Sequence, residues 1–408
     1  MASPIKPFEI AVPDSAIKRL KDKLELTTWP DEVSFSNDWN YGAPLADIKR
    51  LAQKWQSDFD WRAHERKLNA LPQFTTTIAV SGFDDLQIHF LHQRSPNPHS
   101  IPLLFCHGWP GSFLEVLKLL PLLTVSGGSN HPTFHVVAPS LPNFAFSSAP
   151  TKPGFAIAQY AEVCHGLMQQ LGYTRYATQG GDWGFAITRM MGVLYPSHCL
   201  ASHLNFVQAA GAPKLTTDPL LYLRHSVSRY SKEEKAGMER SAWFQREGAG
   251  YNLEQSTKPS TVGFALADSP VALLAWVYEK LHDWTDEYPW TDDEVLEWVS
   301  VYQFSTAGPA ASVRIYYENM HAKPEIRRRI LEYNGEVKLG LSYFPKDLIL
   351  VPRLWGRTLG PVVFERWHED GGHFAAHERP EKLAGDLREM FGQGGGARSV
   401  VERLVSKL

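Results

Sequence analysis

The feature that most constrains this chain is a set of short, uninterrupted apolar runs, PLLFCH (102–107) and FHVVAPS (134–140), alternating with stretches of helical spacing. A strand that is apolar at every position has no face left for water, which suits a parallel sheet covered by helices on both sides. FTTTIAV and LQIHFLH precede these runs, and YATQ (176–179) and SHLNFV (202–207) follow, with the helical patterns FLEVLKLLPLL and IAQYAEVCHGLMQQLG between them. This alternation predicts an α/β fold with a mostly parallel sheet. It stops after residue 207, where about 130 residues rich in aromatic and helical patterns intervene, and it returns in GLSYFP (340–345) and PVVFERW (361–367).

The predicted organisation is an N-terminal extension over 1–95, a first part of the core over 96–207, a helical cap over 208–338 and a second part of the core over 339–408. Within the extension, DSAIKRLKDKLEL (14–26) sets Ile17, Leu20 and Leu24 at helical spacing behind an Asp/Ser cap signal, and IKRLAQKWQSDF repeats the pattern. The extension is expected to wrap core and cap. GQGGGA near the C-terminus reads as a flexible joint to a short amphipathic tail.

Composition excludes several classes. A net charge of −3 over 408 residues, with the charges scattered, gives no basic field for nucleic acid. Cys106, Cys164 and Cys199 are odd in number, far apart and set in apolar runs, which disfavours a disulfide scaffold and suits the cytosol. The N-terminus has no apolar core of a signal peptide, and no segment approaches the roughly 18 apolar residues of a membrane span, so no membrane anchor is expected.

GGDWG (180–184) lies between the strand YATQ and the helical pattern FAITRMMGVLY, where an α/β hydrolase carries the nucleophile on a sharp turn flanked by small residues. Standing alone, such an Asp would be read as a helix cap. Its setting reverses that, because further carboxylates and GGHFAAHERP follow in the hydrolase order of nucleophile, acid and histidine. Asp182 is therefore the candidate nucleophile. A carboxylate attacking an acyl carbon would give a reactive anhydride, whereas attack on saturated carbon gives an ordinary ester, so an epoxide or an alkyl halide is the expected substrate type.

HGWPGSF (107–113) follows the strand PLLFC at the place where this fold offers backbone donors to an oxyanion, and the donors are assigned to the NH groups of Trp109 and Trp183. His107 is read as structural. His373, beside Gly371 and Gly372, is the candidate general base. Asp347, after the strand before last, is the preferred acid behind it, over Glu365, Glu369 and Asp370, which lie too close in sequence to reach behind the ring. His373 and His377 do not make a zinc motif, because Phe374 occupies the place of the glutamate and no third ligand is suggested.

Together HGWPGSF, LPNFAFS, GGDWG, SYFPKDL and EDGGHFAAHERP resemble the microsomal-type epoxide hydrolases, especially their soluble fungal branch. PFEIAVPDSAIKRLKDKL, DFDWRAHERKLNALPQFTTTI and STKPSTVGFALADSPVALLAW extend the likeness along nearly the whole chain. The resemblance implies an α/β-hydrolase fold with a cap, an epoxide converted to a vicinal diol through an ester on Asp182, and neither metal nor organic cofactor. It also implies two cap tyrosines that hold the epoxide oxygen, Tyr251 and Tyr316, with Tyr317 a close rival to the latter. A phenol is protonated at neutral pH and can donate to an ether oxygen. Asn143 departs from the family's frequent glycine in LPNF, which bears on loop shape and selectivity. A homodimer is left open. The competing readings are a haloalkane dehalogenase-like hydrolase, a carboxylesterase, which would need a serine at the elbow, and a non-catalytic carrier of hydrophobic ligands.

Overall fold

The computed structural model describes residues 3–125 and 131–405. Its centre is a nine-stranded sheet in the order β1-β2-β3-β5-β4-β6-β7-β8-β9. The strands are β1 (Lys6–Pro7), β2 (Gln73–Ile78), β3 (Leu86–Gln93), β4 (Ile101–Cys106), β5 (Phe134–Pro139), β6 (Tyr176–Gly180), β7 (Cys199–Leu204), β8 (Lys338–Tyr343) and β9 (Val362–Trp367). From β5 to β9 along the sheet every pairing is parallel. β4 and β5 are buried at each residue; β4 is apolar throughout, and the one polar side chain of β5, His135, accepts the Ser95 N–H at Nδ1, 3.1 Å. The edge made by β1, β2 and β3 is antiparallel and joins β5, a feature that the apolar runs alone do not specify. Residues 73–93 thus belong to the same sheet as the core.

Between β7 and β8 the described chain is helical. Its helix starts are written in the sequence: Pro219, Pro259, Pro270 and Pro324 occupy first turns, where a missing N–H costs nothing, and Ser231 and Thr291 form capping boxes with Glu234 and Glu294. The N-terminal helices Asp14–Glu25, Leu45–Ser57 and Trp61–Asn69 grip this insertion from outside. Trp55 Nε1 donates to Ser300 Oγ at 3.0 Å, and Lys23 pairs with Asp268 at 2.7 Å.

Three local expectations are corrected. FLEVLKLLPLL is not one helix but a 3-10 turn, Phe113–Val116, and a short helix, Leu119–Thr124, because Pro121 has no N–H for a continuous ladder and its ring crowds the preceding turn. GQGGGA is a packed corner rather than a loose joint. A Cβ at Gly395 would lie 2.1 Å from the Glu389 carbonyl oxygen and one at Gly396 2.3 Å from that of Val363, so the glycines allow chain to lie on chain. The helix that follows, Arg398–Val405, buries Val400, Val401 and Leu404. The Asp/Ser signal before the first helix also makes no side-chain cap, since Pro13 occupies that position. Among the described residues no single helix is long and apolar enough to cross a membrane.

Candidate active site

The strand order reverses between β5 and β6 on either side of β4, and crevices at such points are where open α/β sheets bind ligands. β4 and β6 lie side by side with Cys106 opposite Gly180, so the loops HGWPGSF and GGDWG leave the sheet together. The elbow is tight. A Cβ at Gly184 would come within 1.9 Å of the Cys106 carbonyl oxygen, and one at Gly180 within 2.4 Å of that of Gly184. Asp182 itself takes φ 49° and ψ −126°, a strained conformation for a residue with a side chain, directly before the helix Trp183–Leu194.

That strain presents the carboxylate to three neighbours. Oδ1 accepts the Trp109 backbone N–H at 2.7 Å, and Oδ2 lies 3.3 Å from His373 Nε2. Gly108 must be glycine, since a Cβ there would stand 2.1 Å from Asp182 Oδ1. Behind the ring, His373 Nδ1 donates to Asp347 Oδ1 at 2.6 Å, and the Leu348 N–H donates to the same oxygen at 2.7 Å. Asp182, His373 and Asp347 are thus joined in line. Burial pushes the His373 imidazole down, but the Asp347 and Asp182 carboxylates outweigh it and raise it to about 10, so the ring rests as an imidazolium between two anions. Burial pushes the Asp347 carboxyl up, with the His373 cation pulling against it.

The remaining sequence candidates separate cleanly. Glu365 pairs with Arg357, Asp370 pairs with Arg379 at 2.8 Å, and Glu369 is exposed. His107 accepts the Leu141 N–H at Nε2, 3.2 Å, and donates from Nδ1 to the Gly108 carbonyl, 2.9 Å, so both ring nitrogens hold backbone. Trp183 opens the helix after Asp182 and sets its ring at 88° to that of Tyr316, with centroids 4.9 Å apart. Among the described residues no group of three or more His, Cys, Asp or Glu side chains is arranged to hold a metal ion.

The cap supplies the facing wall. A cavity of about 330 Å³ is lined by Asp182, Trp183, Phe206, Tyr251, Tyr316 and Leu348, among others. A larger, more open groove of about 790 Å³ lies beside β9 and reaches Glu365 but none of Asp182, Asp347, His373, Tyr251 and Tyr316, so the smaller cavity is the one that matters for chemistry. Tyr251 stacks on Trp109 with centroids 5.1 Å apart, and Tyr316 meets both rings edge-on. Burial and the Asp182 charge push both phenols above their ordinary range, which keeps them as donors. The Tyr316 hydroxyl is buried with no hydrogen-bond partner. Tyr317 stacks instead on His321 at 3.9 Å and does not line the cavity. Asn143 takes φ 73°, a left-handed conformation that asparagine tolerates better than most residues, and its Nδ2 donates to the Tyr160 hydroxyl at 2.9 Å.

Sequence reasoning missed Trp284. Its carbonyl accepts the His373 N–H at 2.7 Å and its ring stands edge-on to the imidazole, so the insertion helps to hold the histidine. Gly372 is the signal that belonged to it, because a Cβ there would lie 2.4 Å from the Trp284 carbonyl oxygen.

A strand-order crevice, a carboxylate elbow, an in-line histidine and acid, and a helical insertion closing over them define an α/β hydrolase with a cap. Residues 101–206 match the family model for the alpha/beta hydrolase fold, and residues 5–116 match the model for the epoxide hydrolase N terminus. Epoxide hydrolase 1 of Sus scrofa is 33% identical over 413 residues, covering 95% of this chain and 88% of its own length. Aspergillus niger epoxide hydrolase superposes with a TM-score of 0.81 at 37% identity, covering 95% of this chain and 96% of its own. Juvenile hormone epoxide hydrolase from the silkworm Bombyx mori does so with a TM-score of 0.84 at 30% identity, over 94% and 93% of the two chains. The chain belongs to the epoxide hydrolase family.

Proposed function

We propose that this enzyme converts epoxides to vicinal diols through a covalent ester on Asp182. The reading rests on one observation: a carboxylate held by a backbone N–H and set beside the His373 ring shares a small cavity with two buried phenols. An Asp182 oxygen bonds to a ring carbon as the carbon–oxygen bond breaks, and Tyr251 and Tyr316 donate to the departing oxygen so that it leaves as a hydroxyl. A departing halide would need no proton, so buried phenols at that wall favour the epoxide over the alkyl halide.

His373 follows from the charge balance. Esterification removes the Asp182 charge that helps to hold the ring protonated, so the imidazolium proton is released and restores the phenol. The neutral ring, still held by Asp347, then takes a proton from water attacking the ester carbonyl. The tetrahedral oxyanion lies against the backbone N–H groups of Trp109 and Trp183, and collapse returns carboxylate, imidazolium and diol.

The test separates the two steps. His373→Gln mixed with a simple aryl epoxide should trap the ester, seen by mass spectrometry as one substrate mass on the peptide carrying Asp182. A variant that makes no adduct on that peptide, while the native enzyme makes diol, overturns the mechanism.

A further inference from the structure

The insertion buries a lysine that the reaction outlined above does not use. Lys280, in the last turn of helix Pro270–Asp283, is only 2% exposed. Burying an ammonium is costly, and a methionine would fill the same space without that cost. Its partners explain where the charge is aimed. Nζ lies 5.0 Å from the centroid of the Tyr251 ring and 5.3 Å from that of Trp276, so the cation sits over two aromatic faces. The acid beside it is Glu279, its neighbour in the chain. Trp276 is fixed in turn, its indole N–H donating to Gln255 Oε1 at 2.9 Å from the helix that carries Tyr251. The negative end of helix Pro270–Asp283 lies within the same turn and favours the charge.

We propose that Lys280 is a positioning residue for Tyr251, its ammonium stabilising the negative charge that grows on the phenol as the O–H bond breaks and the epoxide oxygen takes the proton. This rests on the donor role given to Tyr251 above. A cation over a neutral phenol ring is held by the ring quadrupole; once the oxygen carries charge, the attraction strengthens, so the contact is worth more in the transition state than before it. Lys280 also offsets the Glu279 carboxylate, whose charge opposes ionisation of the same phenol.

The prediction concerns ring opening alone. In single turnovers of an aryl epoxide, Lys280→Met should slow ester formation by about tenfold and leave ester hydrolysis unchanged, while Lys280→Arg should recover most of the loss. In a Tyr251→Phe background, Lys280→Met should cost nothing further, because no proton remains for the ammonium to assist. Multiplying losses in the double variant, or equal slowing of both steps, would mean that Lys280 only packs the cap and would overturn the proposal. Should Tyr251→Phe leave ring opening at the native rate, the donor role of Tyr251 fails first and takes the Lys280 proposal with it. If Lys280→Met does not fold, Lys280→Gln carries the test: loss of the ammonium should slow ester formation, again only while Tyr251 is present, and an unchanged rate counts against the proposal.

Discussion

The two walls of the cavity are built on opposite terms. On the core side the carboxylates and the histidine are already paired: Asp182 with Trp109 and His373, and His373 with Asp347. On the cap side the Tyr316 hydroxyl is buried with no partner, although burying a polar group unpaired costs free energy. The core wall is held by its own contacts, whereas the cap wall leaves a hydroxyl free, which in the proposed mechanism is the donor to the epoxide oxygen. This division suits a reaction whose nucleophile must be held at a fixed angle and whose leaving oxygen differs from one substrate to another.

The sharpest way to break this comparison is at the elbow. Asp182→Ala should lower turnover by at least about 10⁴-fold for every epoxide, because the bond-forming atom is gone and the remaining groups only bind. A steady-state diol assay reads this, and appreciable residual turnover would place the nucleophile elsewhere. Asp347→Asn comes next, with an expected loss of about 10³-fold, since the imidazole loses the charge behind it and its orientation. Stopped-flow should find the loss mainly in ester hydrolysis. Tyr316→Phe should cost less, about 10²-fold, and only in ring opening. Here the walls ought to differ most plainly: the penalty should shrink for epoxides with electron-withdrawing substituents, whose departing oxygen needs less help, whereas the Asp347→Asn penalty should not follow that series.

How far the sequence disclosed the site follows the same division. Asp182, Trp109 and His373 sit on loops that leave parallel strands, where the chain must turn sharply beside its neighbours. Glycine is the only residue that fits such places, so Gly108, Gly180, Gly184 and Gly372 mark them in plain text. Asp347 could be chosen over Glu365 and Asp370 by strand order alone. Helices give no such marks. The spacing around Tyr251, Lys280 and Trp284 tells which face of a helix each occupies, but their meeting depends on how separate helices pack, and only family resemblance pointed to the tyrosines. The antiparallel edge of the sheet escaped for a related reason, since strand direction is settled by connections rather than by the residues of a strand.

The smallest expected effect tests the core wall from beneath. Glu115, in the 3-10 turn Phe113–Val116, holds its carboxyl under the HGWPG loop, where a Cβ on Gly111 would lie 1.6 Å from Oε1. Burial raises this carboxyl to about 8, with the His373 cation and the Gly108 backbone pulling it down and the Asp182 charge adding to the rise. It is therefore the neutral member of a site whose other carboxylates are paired. In the unfolded chain the same group ionises near its ordinary value of about 4.5, so the folded state binds the extra proton between that pH and about 8. The stability this proton confers is complete below about 4.5, declines as pH rises and is lost above about 8. Glu115→Gln keeps the shape without the titration. Its melting temperature should match the native enzyme at low pH and exceed it by about 2 °C or more above neutrality, with turnover little changed. A gap that does not grow with pH in thermal melts would mean that Glu115 is ionised in the folded protein, and that the core wall carries one more charge than its pairing accounts for.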